Sequence, residues 1–331
     1  MQLVSVIIVN WNRKIYLKDC LNSLFNQTHN PIEVIVVDNH SLDGSQEMLK
    51  EEFPQVKLFS NADNQLYCRA QNKGISIAEG EYVICLNNDL VLEKDFVEEA
   101  LKAVNIDEQI GMVCGKIISW DRRTIDSAGQ ILARSRQAVE RGYRKKDSGR
   151  FDQPCYIFSA GGVAPLYKRR MLEEIKLEGE YFDETYGMFY EDLDIAWRAN
   201  LFGWKGFYNP RALAYHRRGG SSKSQPPKIS FLKKYNFVYL SSELKISLLK
   251  NRYMTILKND CIRDFVINLP WIIGYEIRVW VYIILFHPGL ILRLIKDIGW
   301  LKTALRKRGK IWQLKRGKLL IIIKTISLLI K

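Results

Sequence analysis

Val34-Ile35-Val36-Val37 runs directly into Asp38-Asn39-His40-Ser41, and Tyr82-Val83-Ile84-Cys85-Leu86 runs into Asn87-Asn88-Asp89. Short continuous runs of Val, Ile and Leu bounded by polar turns are the pattern of strands buried on both faces. A carboxylate at the end of such a strand lies at the crevice where open α/β sheets take their ligands. Upstream, Val4 to Val9 is another such run. Helix-patterned stretches lie between the strands at Lys14 to Phe25, Gln46 to Glu52 and Ala70 to Ala78, with a short strand at Val56 to Phe59. This alternation predicts an α/β fold with a doubly wound, mostly parallel sheet.

A chain of 331 residues with 47% hydrophobic content has enough apolar surface for a substantial core. Its formal charge of +14 is unevenly placed. Up to His216 there are 26 basic and 31 acidic residues, a net of −5; from Arg217 onward there are 24 and 5, a net of +19. The six cysteines are scattered with no C-x-x-C pair, which signals neither a zinc cage nor a disulfide framework and fits a reducing cytosol. Leu3 to Val9 is too short for a secretory h-region and is followed by Asn10-Trp11-Asn12-Arg13, so it reads as a first strand.

That turn has no G-x-G-x-x-G, and no P-loop is present either. Without a glycine cradle, diphosphate charge needs another partner, and a divalent cation held by the Asp89 carboxylate is the natural candidate. A third acidic cluster, Glu191-Asp192-Leu193-Asp194, is followed by Trp197-Arg198.

Taken in order, these blocks resemble the family 2 glycosyltransferases of GT-A fold, in particular the rhamnosyltransferase-like branch of bacterial surface-polysaccharide synthesis. The resemblance runs from Val4 to about Ser221. It rests on Val6 to Asn12, Val36 to Ser45, Asn64 to Gly74, Leu86 to Asp89 and Phe182 to Arg198. It implies a GT-A doubly wound mixed sheet over residues 1–221 and an inverting, metal-dependent transfer of a hexose, L-rhamnose being one option. The donor would be a nucleoside diphosphate sugar, dTDP- or UDP-linked, and the acceptor a lipid-linked glycan.

The resemblance also assigns roles. Asp38 would accept the N3–H of a uracil or thymine ring, which an ionised carboxylate can do; a turn or capping role is the competing reading. Asn10, Asn12, Asn39, Asn64, Arg69 and Asn88 would line the nucleotide. Asn87-Asn88-Asp89 looks like a D-x-D motif whose first aspartate is asparagine, so Asp89 would hold Mg²⁺ or Mn²⁺, with Asn87 offering a neutral oxygen and His216 as a second ligand. Gly161 and Gly162 would let the donor sugar approach the backbone, and Arg217 and Ser221 would reach the diphosphate. Asp192 would be the base, with Glu191 beside it and Asp194, Trp197 and Arg198 in support. Mutual repulsion among these acids would raise one pKa; a plain acidic helix start is the bland alternative. Leu66 stands where the family has glycine, so the local turn is expected to differ.

Residues 222–331 read as a separate, basic and mostly helical region. The apolar runs Phe265 to Tyr275 and Val279 to Leu292 are interrupted by Glu276 and Arg278 or broken at His287-Pro288-Gly289, and neither is expected to span a bilayer. Amphipathic helices on an anionic membrane surface are the favoured reading, which would make the protein peripheral on the cytoplasmic face of the plasma membrane. Packing within a homo-oligomer competes with it, and no nucleic-acid-binding signature is present. Nucleotidyl transfer on a similar α/β domain and a non-catalytic membrane-docking scaffold are the alternatives to glycosyl transfer.

Overall fold

The computed structural model describes residues 2–218 and 240–329, with side chains up to residue 317. Ser221 and the Ser/Lys/Pro stretch that follows it lie outside the described residues. The chain divides into two compact units, Met1–Ala133 with Ala138–Ser221, and Arg134–Gln137 with Ser222–Lys331.

The first unit opens with β1 (Val4–Asn10), α1 (Lys14–Phe25), β2 (Ile32–Asp38), α2 (Ser45–Glu52), β3 (Lys57–Ser60), α3 (Leu66–Ile77), β4 (Tyr82–Asn87), β5 (Leu90–Leu92) and α4 (Phe96–Val104). It continues through β6 (Ile110–Ser119), β7 (Ile125–Ser127), β8 (Gln130–Leu132), β9 (Ala138–Glu140), β10 (Cys155–Ile157), β11 (Leu166–Lys168), α5 (Arg169–Ile175), a 3₁₀ turn at Glu184–Tyr186, α6 (Glu191–Leu201) and β12 (Lys205–His216). The main sheet runs in the order β10-β12-β6-β11-β4-β1-β2-β3, with β5 pairing β12 and β7 pairing β6, while β8 and β9 form a separate ribbon. β1 pairs in parallel with β2 and β4, β2 with β3, and β6 with β12; β11 enters antiparallel between β4 and β6. The sheet is therefore mixed, as expected of a GT-A fold.

Alternation along the central strand explains the layering. Val4, Val6 and Ile8 face a core that also takes Leu17, Cys20, Leu21 and Leu24 of α1, a helical i, i+3, i+4, i+7 stripe. Ile7 faces the other way, against α3. A Cβ on Gly74 of α3 would come 2.3 Å from Ile7 Cγ2, so glycine is what lets this helix close on β1. Neither Gly74 nor Asn72 caps a helix: Asn72 receives the Phe182 N–H at 2.8 Å and donates to the Phe182 carbonyl at 2.8 Å. This ties α3 to the segment that leads into α6. Leu66 keeps a left-handed φ of 61° at the start of α3, so the backbone needs the conformation that glycine would adopt freely and leucine strains to hold.

Strand ends align because the register is fixed. Val9 pairs with Val37 on one side and Asn87 on the other, and Asn10 pairs with Asp38. The first polar residues after three strands therefore meet at one edge. The antiparallel pairing of Leu90 with His216 then brings the end of β12 beside Asp89, and the Arg217 N–H donates to the Asp89 carbonyl at 3.0 Å.

The second unit contains α7 (Ser242–Asn259), α8 (Ile262–Phe286), α9 (Gly289–Lys296) and α10 (Gly299–Leu329). Its interior is partly ionic. Arg136 makes a bidentate pair with Asp260 at 2.5 and 3.0 Å, and Arg252 donates to Glu276 at 2.9 Å and to the Ser135 and Arg136 carbonyls. Glu276 and Arg278 interrupt the apolar run but not the helix: α8 passes through both as one helix of 25 residues. Glu276 is held by Arg252 and Tyr253, and Arg278 donates back to the Gly274 carbonyl. By length and composition α8 is apolar enough to cross a membrane, with mean hydropathy 1.5 and 11% of its most apolar window buried. Length and composition do not by themselves distinguish a span from a helix lying in the interface.

Gly74→Ala is expected to destabilise the first unit by about 1–3 kcal/mol through overpacking against Ile7. Urea unfolding checks this as a lower midpoint with an unchanged m-value.

Candidate active site

The site lies along the carboxyl-terminal edge of the first unit's sheet. Asn10 is its wholly buried hub: Nδ2 donates to Asp38 Oδ2 at 2.9 Å and to Ser41 Oγ at 3.1 Å, Oδ1 accepts from Asn88 Nδ2 at 2.9 Å, and its carbonyl accepts the Asn39 N–H at 2.8 Å. Asn12 Oδ1 accepts the Leu42 N–H at 2.7 Å, joining the turns after β1 and β2.

Asp38 is fully buried, and its oxygens already take four protein donors: the Ser41 N–H and Gln46 Nε2 on Oδ1, Asn10 Nδ2 and Ser41 Oγ on Oδ2. A carboxylate has about four acceptor sites, so in this structure Asp38 organises the surrounding turns. Asn39 holds the Leu66 carbonyl at 3.2 Å and receives Asn61 at 2.8 Å, which puts the left-handed Leu66 at the same edge. Asn64 accepts the Leu66 N–H at 2.9 Å, and Arg69 is paired with Glu184 at 2.9 Å.

At the end of β4, Asn87 is anchored through its backbone to Val163. Asp89 Oδ1 lies 3.1 Å from His216 Nε2, and His216 Nδ1 lies 2.7 Å from Asp126 Oδ2, whose other oxygen accepts from Arg218. Burial disfavours the charged imidazole, but hydrogen bonds and charge from Asp126 and Asp89 outweigh it and lift His216 to about 9. Arg217 pairs with Asp19 at 2.6 Å and stacks over Trp120 at 4.0 Å. Among the described residues, no group of three or more His, Cys, Asp and Glu side chains is arranged to hold a metal by itself.

The acids at the start of α6 have different surroundings. Asp194 and Arg198 form a buried i, i+4 pair at 3.0 Å, and Arg198 also donates to the Ile175 and Tyr181 carbonyls, both at 2.7 Å. Trp197 packs edge-on to Phe158. Both residues brace the helix. Asp192 Oδ1 accepts the Leu193 N–H at 2.8 Å, and its Oδ2 receives Gln130 Nε2 at 2.9 Å. Glu191 Oε2 is buried without a hydrogen-bond partner. Burial raises Asp192, and burial with the charges of Asp192 and Asp194 pushes Glu191 up to about 8. Burial and the neighbouring charges thus favour the protonated form of Glu191 near neutral pH. A Cβ on Gly162 would lie 3.5 Å from Asp192 Oδ2, so glycine there leaves the space beside that oxygen open; Gly161 adopts φ 70° next to Gln130 and Glu140.

Asp126, Ser127, Gln130 and Glu140 join the site although the sequence did not single them out. Asp126 backs His216, and its chain neighbour Ser127 donates to Glu140 Oε2 at 2.6 Å. Gln130 then links Glu140, at 2.6 Å, to Asp192. They sit on strands of three residues each, too short to show a period. Their only sequence signal is the polar residues of Asp126-Ser127-Ala128-Gly129-Gln130.

The fold and this carboxylate-lined strand edge define a glycosyltransferase of GT-A type. A model of Glycosyl transferase family 2 matches residues 5–176, and the chain belongs to that family. It is 26% identical over 220 residues to EpsH of Bacillus subtilis, a match covering 65% of this chain and 60% of that protein, so the chain spans about three-fifths of that relative. It is 24% identical over 247 residues to the N-acetylglucosaminyl-diphospho-decaprenol L-rhamnosyltransferase of Mycobacterium tuberculosis, covering 67% of this chain and 78% of that protein. Among solved structures, the mannosyltransferase PcManGT from Pyrobaculum calidifontis, in complex with GDP-Man and Mn²⁺, superposes with a TM-score of 0.53 at 16% identity, over 96% of this chain and 86% of that one.

Because the folded Glu191 value lies above that of an unfolded glutamate, its favourable contribution is complete below about pH 4.3 and is lost as pH rises through about 8. Glu191→Gln should therefore gain thermal stability relative to wild type between pH 5 and 9. Scanning calorimetry across that range checks the sign.

Proposed function

We propose that the protein is an inverting glycosyltransferase in which Asp192 is the base and a nucleoside diphosphate sugar is the donor. The observation that supports this best is one connected polar network. It runs from Asp89 through His216 to Asp126, and from the adjacent Ser127 through Glu140 and Gln130 to Asp192. It sets a carboxylate–imidazole pair suited to the leaving-group side and a carboxylate base on one supporting strand.

In the reaction, an acceptor hydroxyl oxygen bonds to the anomeric carbon as the bond from that carbon to the diphosphate oxygen breaks. The electron pair leaves with the nucleoside diphosphate, and the hydroxyl proton passes to Asp192. Glu191, already protonated, does not compete for it. Gly161 and Gly162 give the sugar backbone-close access beside Asp192. Asp38 acts on the nucleotide through the Asn10, Asn12 and Ser41 turns it orders.

The donor set would suit a divalent cation such as Mn²⁺ or Mg²⁺ that displaces the proton from His216 Nε2: a hard carboxylate oxygen from Asp89 and an imidazole nitrogen from His216, whose other nitrogen is oriented by Asp126. When bound, the cation would neutralise charge gathering on the departing diphosphate. The residues of this chain hold and orient; Asn87 could add a neutral oxygen. Arg217 would reach the diphosphate only by leaving Asp19.

The relative from Mycobacterium tuberculosis favours L-rhamnose as the sugar and a polyprenyl-diphosphate-linked glycan as the acceptor. The second unit supports a membrane-surface location: Val266, Ile267, Trp271, Ile277, Ile284 and Leu285 of α8 are exposed, in a region of strongly basic charge.

Nucleoside diphosphate release should be screened with UDP-, GDP- and dTDP-sugars and Mn²⁺ or Mg²⁺. One donor is expected to stand out, with kcat falling ~10²–10⁴-fold in Asp192→Asn and metal-dependent release lost in Asp89→Ala. Undiminished turnover by Asp192→Asn would remove the base assignment. Flotation with phosphatidylglycerol-containing vesicles should recover the protein in the lipid fraction, with partial release by high salt; failure to float would sink the membrane reading.

A further inference from the structure

Gln130 donates through one amide nitrogen to two carboxylates, Asp192 Oδ2 at 2.9 Å and Glu140 Oε1 at 2.6 Å. An amide NH₂ has two hydrogens, so both are spent. The orientation of the amide is also fixed, because a flip would set its oxygen against two carboxylate oxygens. Gln130 is only 5% exposed, and its Oε1 is buried without a hydrogen-bond partner. Such a group is costly to bury; here the NH₂ serves the two acids while the oxygen goes unmatched. Glu140 is fixed on its other oxygen by Ser127, next in the chain to the Asp126 that orients His216.

We propose that Gln130 and Glu140 are positioning residues for Asp192. The shared amide clamps the base carboxylate, and Glu140 is the counter-carboxylate that takes the proton when only one of the two acids can be charged. This rests on Asp192 being the base. Two half-buried carboxylates sharing one donor cannot both ionise cheaply. Burial pushes Glu140 up to about 7, opposed by the Ser127 and Gln130 hydrogen bonds and reinforced by the charges of Asp192 and Asp126. The charged and titratable groups facing Glu140 are Asp192 of α6, Asp126 of β7, Arg218 after β12 and the Cys114 thiol of β6.

The test compares wild type, Gln130→Met, Glu140→Gln and the double variant, full length, in two assays. The first needs no substrate: unfolding midpoints from pH 5 to 9. The folded Glu140 value is raised, so its favourable contribution is lost as pH rises through about 7. Glu140→Gln should gain on wild type over that interval. Gln130→Met, which leaves the two carboxylates unbridged, should lose increasingly with pH, and adding Glu140→Gln should restore much of the loss. A pH-independent difference for Glu140→Gln, or a double variant no more stable than Gln130→Met, would overturn the coupling.

The second assay is the pH–rate profile of nucleoside diphosphate release, run with whichever of UDP-N-acetylglucosamine, GDP-mannose or dTDP-rhamnose is turned over. Gln130→Met should lower kcat ~10- to 100-fold with donor KM unchanged and move the acid limb to higher pH, because the ionised base loses a donor. Glu140→Gln, isosteric with the protonated acid, should leave that limb in place and remove only the change in rate that wild type shows near pH 7, where Glu140 ionises. A merely structural role for Gln130 would not move the limb. Activity in Asp192→Asn would refute the base reading; an inactive Asp192→Asn beside a Gln130→Met profile that overlays wild type would refute the positioning role alone.

Discussion

The first unit depends on the buried side chain of Asn10. A central strand of valines and isoleucines can bury itself, but it cannot by itself say where its neighbours should end. Asn10 does so with both ends of one amide, giving to Asp38 and Ser41 and accepting from Asn88. Three strands are thereby locked at their carboxyl ends in the register that the backbone ladders allow. An aspartate here would meet Asp38 with charge, and a leucine would leave buried donors and acceptors unmatched.

From that edge the constraint passes outward through β7. Successive residues of a strand serve different faces, and Asp126 and Ser127 use this: one orients the imidazole of His216, the other the carboxylate of Glu140. Displacement of β7 would disturb the Asp89–His216 pair and the Asp192 carboxylate together. The fold thus ties the Asp89–His216 pair and the Asp192 carboxylate to a strand of three residues, held against β6.

The readable part of this arrangement followed from length and repetition. Continuous apolar runs such as Val34 to Val37 mark strands at any site, and Lys14–Phe25 shows its stripe directly, so the sheet and the positions of Asp38, Asp89 and Asp192 could be anticipated. Asp126, Gln130 and Glu140 could not, because three-residue strands have no period and their meaning comes from contacts tens of residues away. Asp38 was legible in place, but nothing local reveals that four donors converge on it. That α8 runs unbroken past Glu276 was not legible for a related reason: the partner that holds this carboxylate, Arg252, lies on another helix.

The acids of α6 show how one local sequence yields separate chemistry. Phe189 and Tyr190 both hold left-handed φ values, 71° and 70°, a strained approach that delivers Glu191 and Asp192 to the first positions of the helix. There the helix dipole and free N–H groups favour negative charge, while burial opposes it. Asp194 resolves the conflict with the guanidinium of Arg198 one turn on. Glu191, buried with one oxygen unpartnered, resolves it by keeping its proton. Asp192 is left between these limits, with a backbone donor on one oxygen and Gln130 on the other. Its setting thus depends on Gln130, a residue distant in sequence, more than on either adjacent acid.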